Sequence, residues 1–193
     1  MATAALRESE AREQSEHKRL WTYDELLAEA GETKQRMELW DGELIMSPAP
    51  TPNHQTIVLN FAEQLKAFVT AGKLGRVFIG VDVIFTQRRT VQPDVIFIST
   101  ANLGIVQDRI RGVPDLCMEV ISQTWQRDRI NKKELYQQFG VKEYWIIDPE
   151  PRSVEILAYA EGVYQLRAKA ADAEPARSKL LEGFAVSFNQ LLV

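Results

Sequence analysis

Two stretches decide how this chain is read: Gln92-Pro93-Asp94-Val95-Ile96-Phe97-Ile98 and Leu116-Cys117-Met118-Glu119-Val120-Ile121. Each is a short apolar run interrupted by one carboxylate. Strand side chains alternate between faces. In a strand from Val91 to Ile98, Asp94 shares a face with Ile96 and Ile98, while Val95 and Phe97 take the other. In Leu116 to Ile121, Glu119 lies with Cys117 and Ile121, opposite Leu116, Met118 and Val120. Apolar residues on both faces describe strands covered on both sides. An ionised carboxylate with no partner in such a place costs several kcal/mol. Either the two acids sit at strand ends beside solvent, or cations hold them: an arginine or lysine of a structural network for each, or one metal ion for both. The last arrangement predicts that Asp94 and Glu119 form one acidic metal-binding site.

The chemistry of the donors narrows the metal. Hard cations such as Mg²⁺ prefer oxygen ligands and often take only one or two protein carboxylates plus water. Zinc is not expected, because one cysteine and two histidines far apart assemble no tetrahedral cluster.

Outward from these runs the chain reads as alternating elements. Val77 to Phe85 predicts a strand before them, and the segment with Arg109, Arg111 and Gly112 predicts an exposed loop between them. A helix is expected from about Asp128 to Phe139, stopped at Gly140, and then a strand, Glu143 to Asp148, ended by Pro149. Asn53 is the expected cap of an earlier helix with Ile57, Leu59, Phe61, Leu65, Phe68 and Val69 as its buried stripe, ending near Gly72. Before it, Asp41-Gly42 between Met37–Trp40 and Glu43–Met46 is a strong hairpin signal. Thr22 and Glu25 form a capping-box pattern for a short helix. Ser153 to Tyr159 and Val163 to Ala168 predict a second hairpin around Glu161-Gly162, with 170–179 as a polar loop and a short apolar tail after it. Residues 1–19 lack apolar anchors and read as a disordered leader, with a single domain over 20–193. The fold class is α/β: a mixed sheet with flanking helices and hairpins at both ends.

Helix phase selects a third residue. Lys132 stands three before Leu135, four before Tyr136 and seven before Phe139, so it lies on the apolar stripe itself. Lys133 is turned about 100° away. A lysine on the sheet-facing side must deliver its ammonium to something polar, and the acidic pair is the natural target; a snorkelling lysine covering the core edge is the alternative. Asp128, four residues before Lys132, shares that face and is expected to orient it.

Bulk properties bound the function without choosing it. A formal net charge of -4 argues against a protein that coats nucleic acid by bulk charge, yet leaves local binding open. No apolar run of about 18 residues spans a membrane. The lone Cys117 forms no internal disulfide, which points to a cytoplasmic setting.

Gln92-Pro93-Asp94, then Glu119-Val120-Ile121-Ser122, then Lys132 four before Tyr136, resemble the Uma-type family of restriction-endonuclease-like proteins, within the PD-(D/E)XK nuclease superfamily. Further matching stretches are Glu38-Leu39-Trp40-Asp41-Gly42-Glu43, His54-Gln55, and Gly140-Val141-Lys142-Glu143-Tyr144-Trp145-Ile146-Ile147-Asp148-Pro149; the likeness runs from about Trp21 to Tyr164. The resemblance implies a restriction-endonuclease-like sheet. It also implies an Mg²⁺-dependent endonuclease (Mn²⁺ as a substitute) that hydrolyses phosphodiesters, most simply in DNA. Asp94 and Glu119 would be the metal ligands, the carbonyl of Val120 an extra ligand, and Lys132 the catalytic lysine. The superfamily's usual lysine position, two after the glutamate, is Ile121 here, and the Uma-type variant moves the lysine to the following helix. Family members commonly carry Ser-Pro-Ser where this chain reads Ser122-Gln123-Thr124-Trp125, a departure beside the site.

Glu38, Glu43 and His54 are supporting candidates: an additional carboxylate from the early hairpin, and a phosphate contact at a helix start. An exposed hairpin acid and a helix-closing histidine explain the same residues. Nucleic-acid contact is expected from Arg109, Arg111, Arg127, Arg129 and Lys133, where a solvated helix face is the competing account. A homodimer is expected by analogy with nucleases that pair subunits to address two strands. The principal alternative is a catalytically silent nucleic-acid-binding or assembly module on the same fold. A different Mg²⁺-dependent hydrolase is less well supported, since no Gly-rich phosphate loop or Ser/Cys nucleophile constellation is present.

Overall fold

The computed structural model describes residues 19–31, 36–121 and 126–192, with the backbone alone at 126–130. Residues 1–18 of the expected 1–19 leader and residues 122–125 lie outside the described residues. The chain divides into two compact units, one of residues 1–48 and 86–91, the other of 49–85 and 92–193.

In the first unit, helix α1 (Tyr23–Ala30) begins as expected, with a reciprocal Thr22–Glu25 capping box. Strands β1 (Met37–Trp40) and β2 (Glu43–Met46) form the expected antiparallel hairpin, Trp40 opposite Glu43. Asp41 and Gly42 both take positive φ, 52° and 89°, the geometry that two-residue hairpin turns require. Leu39 of β1 also pairs with Thr90. Asp41 accepts a bidentate ion pair from Arg89, at 2.6 and 2.7 Å.

The second unit opens with helix α2 (Pro52–Ala71), capped by Thr51 rather than Asn53, whose Oγ1 accepts from the His54 N–H. Pro52 explains the shift: proline is tolerated in the first turn, where its missing donor would have no partner. The buried face is Ile57, Val58, Phe61, Ala62, Leu65 and Val69, and Leu59 is 61% exposed. Leu59 lies two residues, about 200°, round from Ile57, on the solvent side.

The expected strand 77–85 is two, β3 (Gly75–Ile79) and β4 (Val83–Thr86), interrupted where Gly80 turns at φ 56°. Likewise the expected 91–98 strand is β5 (Arg89–Val91) and β6 (Val95–Ser99). Pro93 lacks an N–H and cannot continue a ladder. Asp94 therefore stands at a bend just before β6 rather than inside a strand. A 3₁₀ turn (Thr100–Ile105) leads to β7 (Ile110–Arg111), a two-residue strand parallel to β4 in what sequence reading takes for a loop. Next come β8 (Leu116–Val120), helix α3 (Gln126–Phe139), β9 (Glu143–Asp148), and the hairpin of β10 (Ser153–Ala160) and β11 (Val163–Ala171). The expected polar loop at 170–179 contains β12 (Pro175–Arg177), which pairs with β13 (Ala185–Ser187). A final 3₁₀ turn (Phe188–Leu191) completes the tail.

The main sheet runs β11-β10-β9-β8-β6-β3, with β8 and β9 parallel and the other neighbours antiparallel. Parallel partners need a crossover, and α3 supplies it. Phe61 of α2 meets Trp145 edge-on at 5.3 Å, and the α2 stripe packs with Val95, Phe97, Met118, Val120 and Ile147. Alternation puts Cys117, Glu119 and Tyr144 on the other face, where Tyr136 of α3 meets Tyr144 at 5.0 Å. Each large apolar side chain fully buried in these layers contributes about 1.5–3 kcal/mol. At the sheet edge, a Cβ on Gly75 would collide with the Ile98 carbonyl oxygen, so only glycine allows β3 to approach β6 there. Among the described residues no helix is long and apolar enough to cross a membrane.

Candidate active site

The β6–β8 ladder pairs Val95 with Met118 and Ile96 with Cys117, which leaves Asp94 and Glu119 next in line beyond the Val95–Met118 pair. Both acids are buried, Asp94 at 4% and Glu119 at 2% exposure. Pro93 is what separates their roles in the ladder. Where β6 has not yet begun, Asp94 uses its side chain in place of backbone, and its Oδ2 accepts from the Val120 N–H at 2.9 Å. The carbonyl of Asp94 accepts from the Gly80 N–H at 3.1 Å.

α3 brings the cation. Lys132 is 3% exposed, and its Nζ lies 2.9 Å from Oε1 of Glu119; Lys133, one position on, is exposed. One helical turn beyond, the Tyr136 hydroxyl donates to the same Oε1 at 2.6 Å. Burial pushes the Tyr136 phenol well above the usual tyrosine range, and the charge of Glu119 acts in the same direction, so the group is a fixed proton donor. Burial and then Glu119 also raise the Cys117 thiol, which marks it as inert packing. From the opposite face, His54 at the start of α2 sets Nε2 3.2 Å from Oδ2 of Asp94, and its Nδ1 is buried without a hydrogen-bond partner.

Among the described residues the arrangement includes two buried carboxylates and a buried ammonium, and His54 adds a positive charge only when protonated. Among the described residues, no group of three or more His, Cys, Asp or Glu side chains is arranged to hold a metal ion. Two carboxylates fit a hard cation that fills its remaining positions with water and substrate phosphate, and they do not fit zinc.

Glu38, buried on β1, accepts from the Trp40 indole at 3.1 Å, and Glu43 is half-buried on β2; both belong to the first unit. Arg109 lies 3.6 Å from Asp82, and Arg111 makes a two-point pair with Asp108 at 3.1 and 3.2 Å. The side chains of Arg127, Asp128 and Arg129 lie outside the described residues.

The sequence model of the Uma2 family, described as "Putative restriction endonuclease", matches residues 22–189. The chain belongs to the Uma2 family. Among solved structures it is similar to "a putative nuclease belonging to DUF820" from Anabaena variabilis, with a TM-score of 0.72 at 19% identity, covering 89% of this chain and 97% of that one. That likeness establishes the restriction-endonuclease-like fold. No curated protein matches. The family implies a nucleic-acid substrate, and restriction-endonuclease-like proteins generally use divalent metals.

In this Uma2 protein two features escape sequence reasoning. Tyr136 reads as core stripe, because a tyrosine at helical spacing fits an apolar face; its position four after Lys132 is the signal that it shares the lysine's target. Asp82 reads only as a weak supporting candidate, yet it accepts from Gln92 at 2.5 Å and braces the Gln92-Pro93-Asp94 bend. Nothing in the local pattern around Val81 and Val83 announces that contact.

Proposed function

We propose that this Uma2 protein is an Mg²⁺-dependent endonuclease that hydrolyses phosphodiester bonds in DNA, with Asp94, Glu119 and Lys132 as its catalytic residues. The observation that carries the reading is the Lys132–Glu119 contact at 2.9 Å, with both groups almost fully buried and Asp94 accepting from the N–H of the next residue, Val120. Asp94 and Glu119 would hold one or two Mg²⁺ ions, or Mn²⁺ in substitution. The carbonyl of Val120 would join them, since it leaves the strand on the same side as the N–H that meets Asp94. When bound, such an ion polarises the scissile phosphate and lowers the pKa of the attacking water.

The chain's own groups do the rest. Neighbouring carboxylates favour the charged form of Lys132, so it serves as a fixed positive charge rather than as a general base. Its ammonium positions the water and stabilises the charge that builds on the phosphorane. His54 steadies Asp94 from α2. Arg109, Arg111, Arg127, Arg129 and Lys133 are the candidates for strand contact, with Arg109 and Arg111 exchanging their acidic neighbours for phosphate. A homodimer would let two such sites address two strands.

The test is cleavage of labelled DNA and RNA panels with Mg²⁺ or Mn²⁺, comparing the natural protein with Asp94→Asn, Glu119→Gln and Lys132→Ala. Metal-dependent cutting of DNA that each variant loses supports the reading. Cleavage that survives both Asp94→Asn and EDTA overturns it, and DNA binding without cleavage favours the silent module.

A further inference from the structure

The bend that carries Asp94 is gripped from the turn between β3 and β4. Pro93 has no N–H to give a ladder, and this turn reaches the chain on either side of it. Before Pro93, the Gln92 side chain donates to Oδ1 of Asp82 at 2.5 Å. After Pro93, the carbonyl of Asp94 accepts from the Gly80 N–H at 3.1 Å. Gly80 makes the turn at φ 56°, a conformation that strains other residues. The two grips differ in kind. Gly80 holds the backbone of Asp94 itself, with a bond between neutral groups. Asp82 offers a carboxylate, and hydrogen bonds to ions are about twice as strong as neutral ones. Its side chain is only 19% exposed, so the bond is partly shielded from water. All of these residues belong to the second unit.

Resting on the nuclease reading above, we propose that Asp82 is a positioning residue for the catalytic acid Asp94. Through Gln92 it fixes the path of the backbone into Pro93. That path sets where the Asp94 carboxylate leaves the chain to meet the Val120 N–H. A carboxylate takes up an ion tightly when it already stands in place, and groups one step removed from a metal ligand commonly secure this. Asp82 acts on the ion only through the bend, as Gly80 does from the other side of Pro93. The role gives the lone acid between Val81 and Val83 a reason to be there.

The experiment compares the natural full chain with Asp82→Ala, Gln92→Ala, the two combined, and Asp82→Asn. Amide hydrogen exchange without metal reads the bend directly, at the Gly80 and Val120 N–H groups that meet Asp94. Calorimetric titration with Mn²⁺ alone then reads the site. Asp82→Ala and Gln92→Ala are each expected to lower protection at those two amides about 3–10-fold, the worth of one hydrogen bond. Each is also expected to weaken Mn²⁺ binding about 10-fold, the lower end for supporting partners of metal ligands. The combined variant is expected to lose no more than either alone, because both substitutions remove the same bond. Asp82→Asn is expected to restore both readings, since two side-chain amides pair in either orientation. Natural Mn²⁺ affinity, or natural protection at the two amides, in Asp82→Ala overturns the inference alone. So do losses that add in the combined variant, and a loss that Asp82→Asn shares in full. Protection that falls throughout the sheet overturns it too, by tracing the effect to general destabilisation. A natural protein that neither binds Mn²⁺ nor cleaves DNA overturns the nuclease reading, and this inference falls with it.

Discussion

Glu119 and Glu143 sit on neighbouring strands, both almost wholly buried, and they are satisfied in opposite ways. Glu143 accepts from Trp145 Nε1 and Ser178 Oγ on one oxygen, at 2.8 and 2.6 Å, and from the N–H groups of Lys179 and Leu180 on the other, at 2.7 and 3.2 Å. Four neutral donors fill the acceptor capacity of a carboxylate. Three of them belong to the 178–180 turn, so Glu143 pins the C-terminal segment to the sheet. Glu119 meets a buried ammonium and a phenol on one oxygen. Burial is common to both, so burial does not identify a site. The kind of donor differs: a buried ammonium is among those at Glu119, whereas a ligand at Glu143 would have to displace four neutral hydrogen bonds.

The comparison breaks first at the acids themselves. Asp94→Asn and Glu119→Gln are each expected to reduce metal-dependent cleavage to the level seen with EDTA. Without metal their thermal midpoints are expected to hold or rise, because each removes one ionised acid from a buried site. Added Mg²⁺ should then no longer raise the midpoint, since stabilisation by a ligand requires binding to the folded state. Calorimetric scans with and without Mg²⁺ check both statements, and a midpoint that falls sharply in Asp94→Asn would move the pair into the structural class of Glu143.

Next in size is the contrast between adjacent lysines. Lys132→Ala is expected to lower kcat by about 100–1,000-fold, the range for loss of one donor aimed at developing charge. Lys133→Ala is expected to leave kcat unchanged and stability within about 0.5 kcal/mol, as for most exposed substitutions. Comparable losses in both would show that bulk positive charge on the helix matters more than the Glu119 contact.

Glu143→Gln tests the other member of the comparison. An amide keeps the shape but turns an NH₂ toward groups that are themselves donors, leaving at least one buried hydrogen bond unmade. The expected cost is about 1–3 kcal/mol in urea unfolding, with cleavage per folded molecule retained. Equal unfolding midpoints for Glu143→Gln and the natural protein would remove the pin.

These residues also mark what sequence reasoning can reach. Asp94, Glu119 and Lys132 are legible because each is a charge out of place in a periodic apolar pattern, and the period alone separates Lys132 from Lys133. Glu143 is passed over because it stands first in its strand, where an acid reads as surface; all its donors but Trp145 lie some 35 residues away in the chain, and no local pattern joins them. The α/β order is legible from the elements, whereas the breaks at Gly80 and Pro93 need backbone geometry that short apolar runs conceal. Those breaks are where the site is made, since the bend at Pro93 frees the Asp94 side chain to meet the Val120 N–H.

Asp115 is intermediate between the two glutamates and gives the smallest effect. It is 1% exposed and accepts from the Ser99 N–H at 2.8 Å, from Asn102 at 3.1 Å and from Lys142 at 2.6 Å, where the lysine itself is 61% exposed. Burial works against ionisation, but these hydrogen bonds, Lys142 first, together outweigh it and hold the carboxyl below the usual aspartate range. A folded-state pKa depressed in this way adds stability above the unfolded pKa, about 3.9 for aspartate, and that stability is lost as pH falls through the folded value. Asp115→Asn is therefore expected to be less stable than the natural protein near neutrality and to converge with it in acid, as urea midpoints across pH would record. Salt divides the contribution further. An exposed lysine is screened as the Debye length shrinks from about 10 Å at 0.1 M to about 3 Å at 1 M, while the Ser99 and Asn102 bonds are not. Raising salt should remove only part of the difference between Asp115→Asn and the natural protein. Complete removal would make Asp115 an ordinary surface ion pair, outside the class of neutral pins that Glu143 defines.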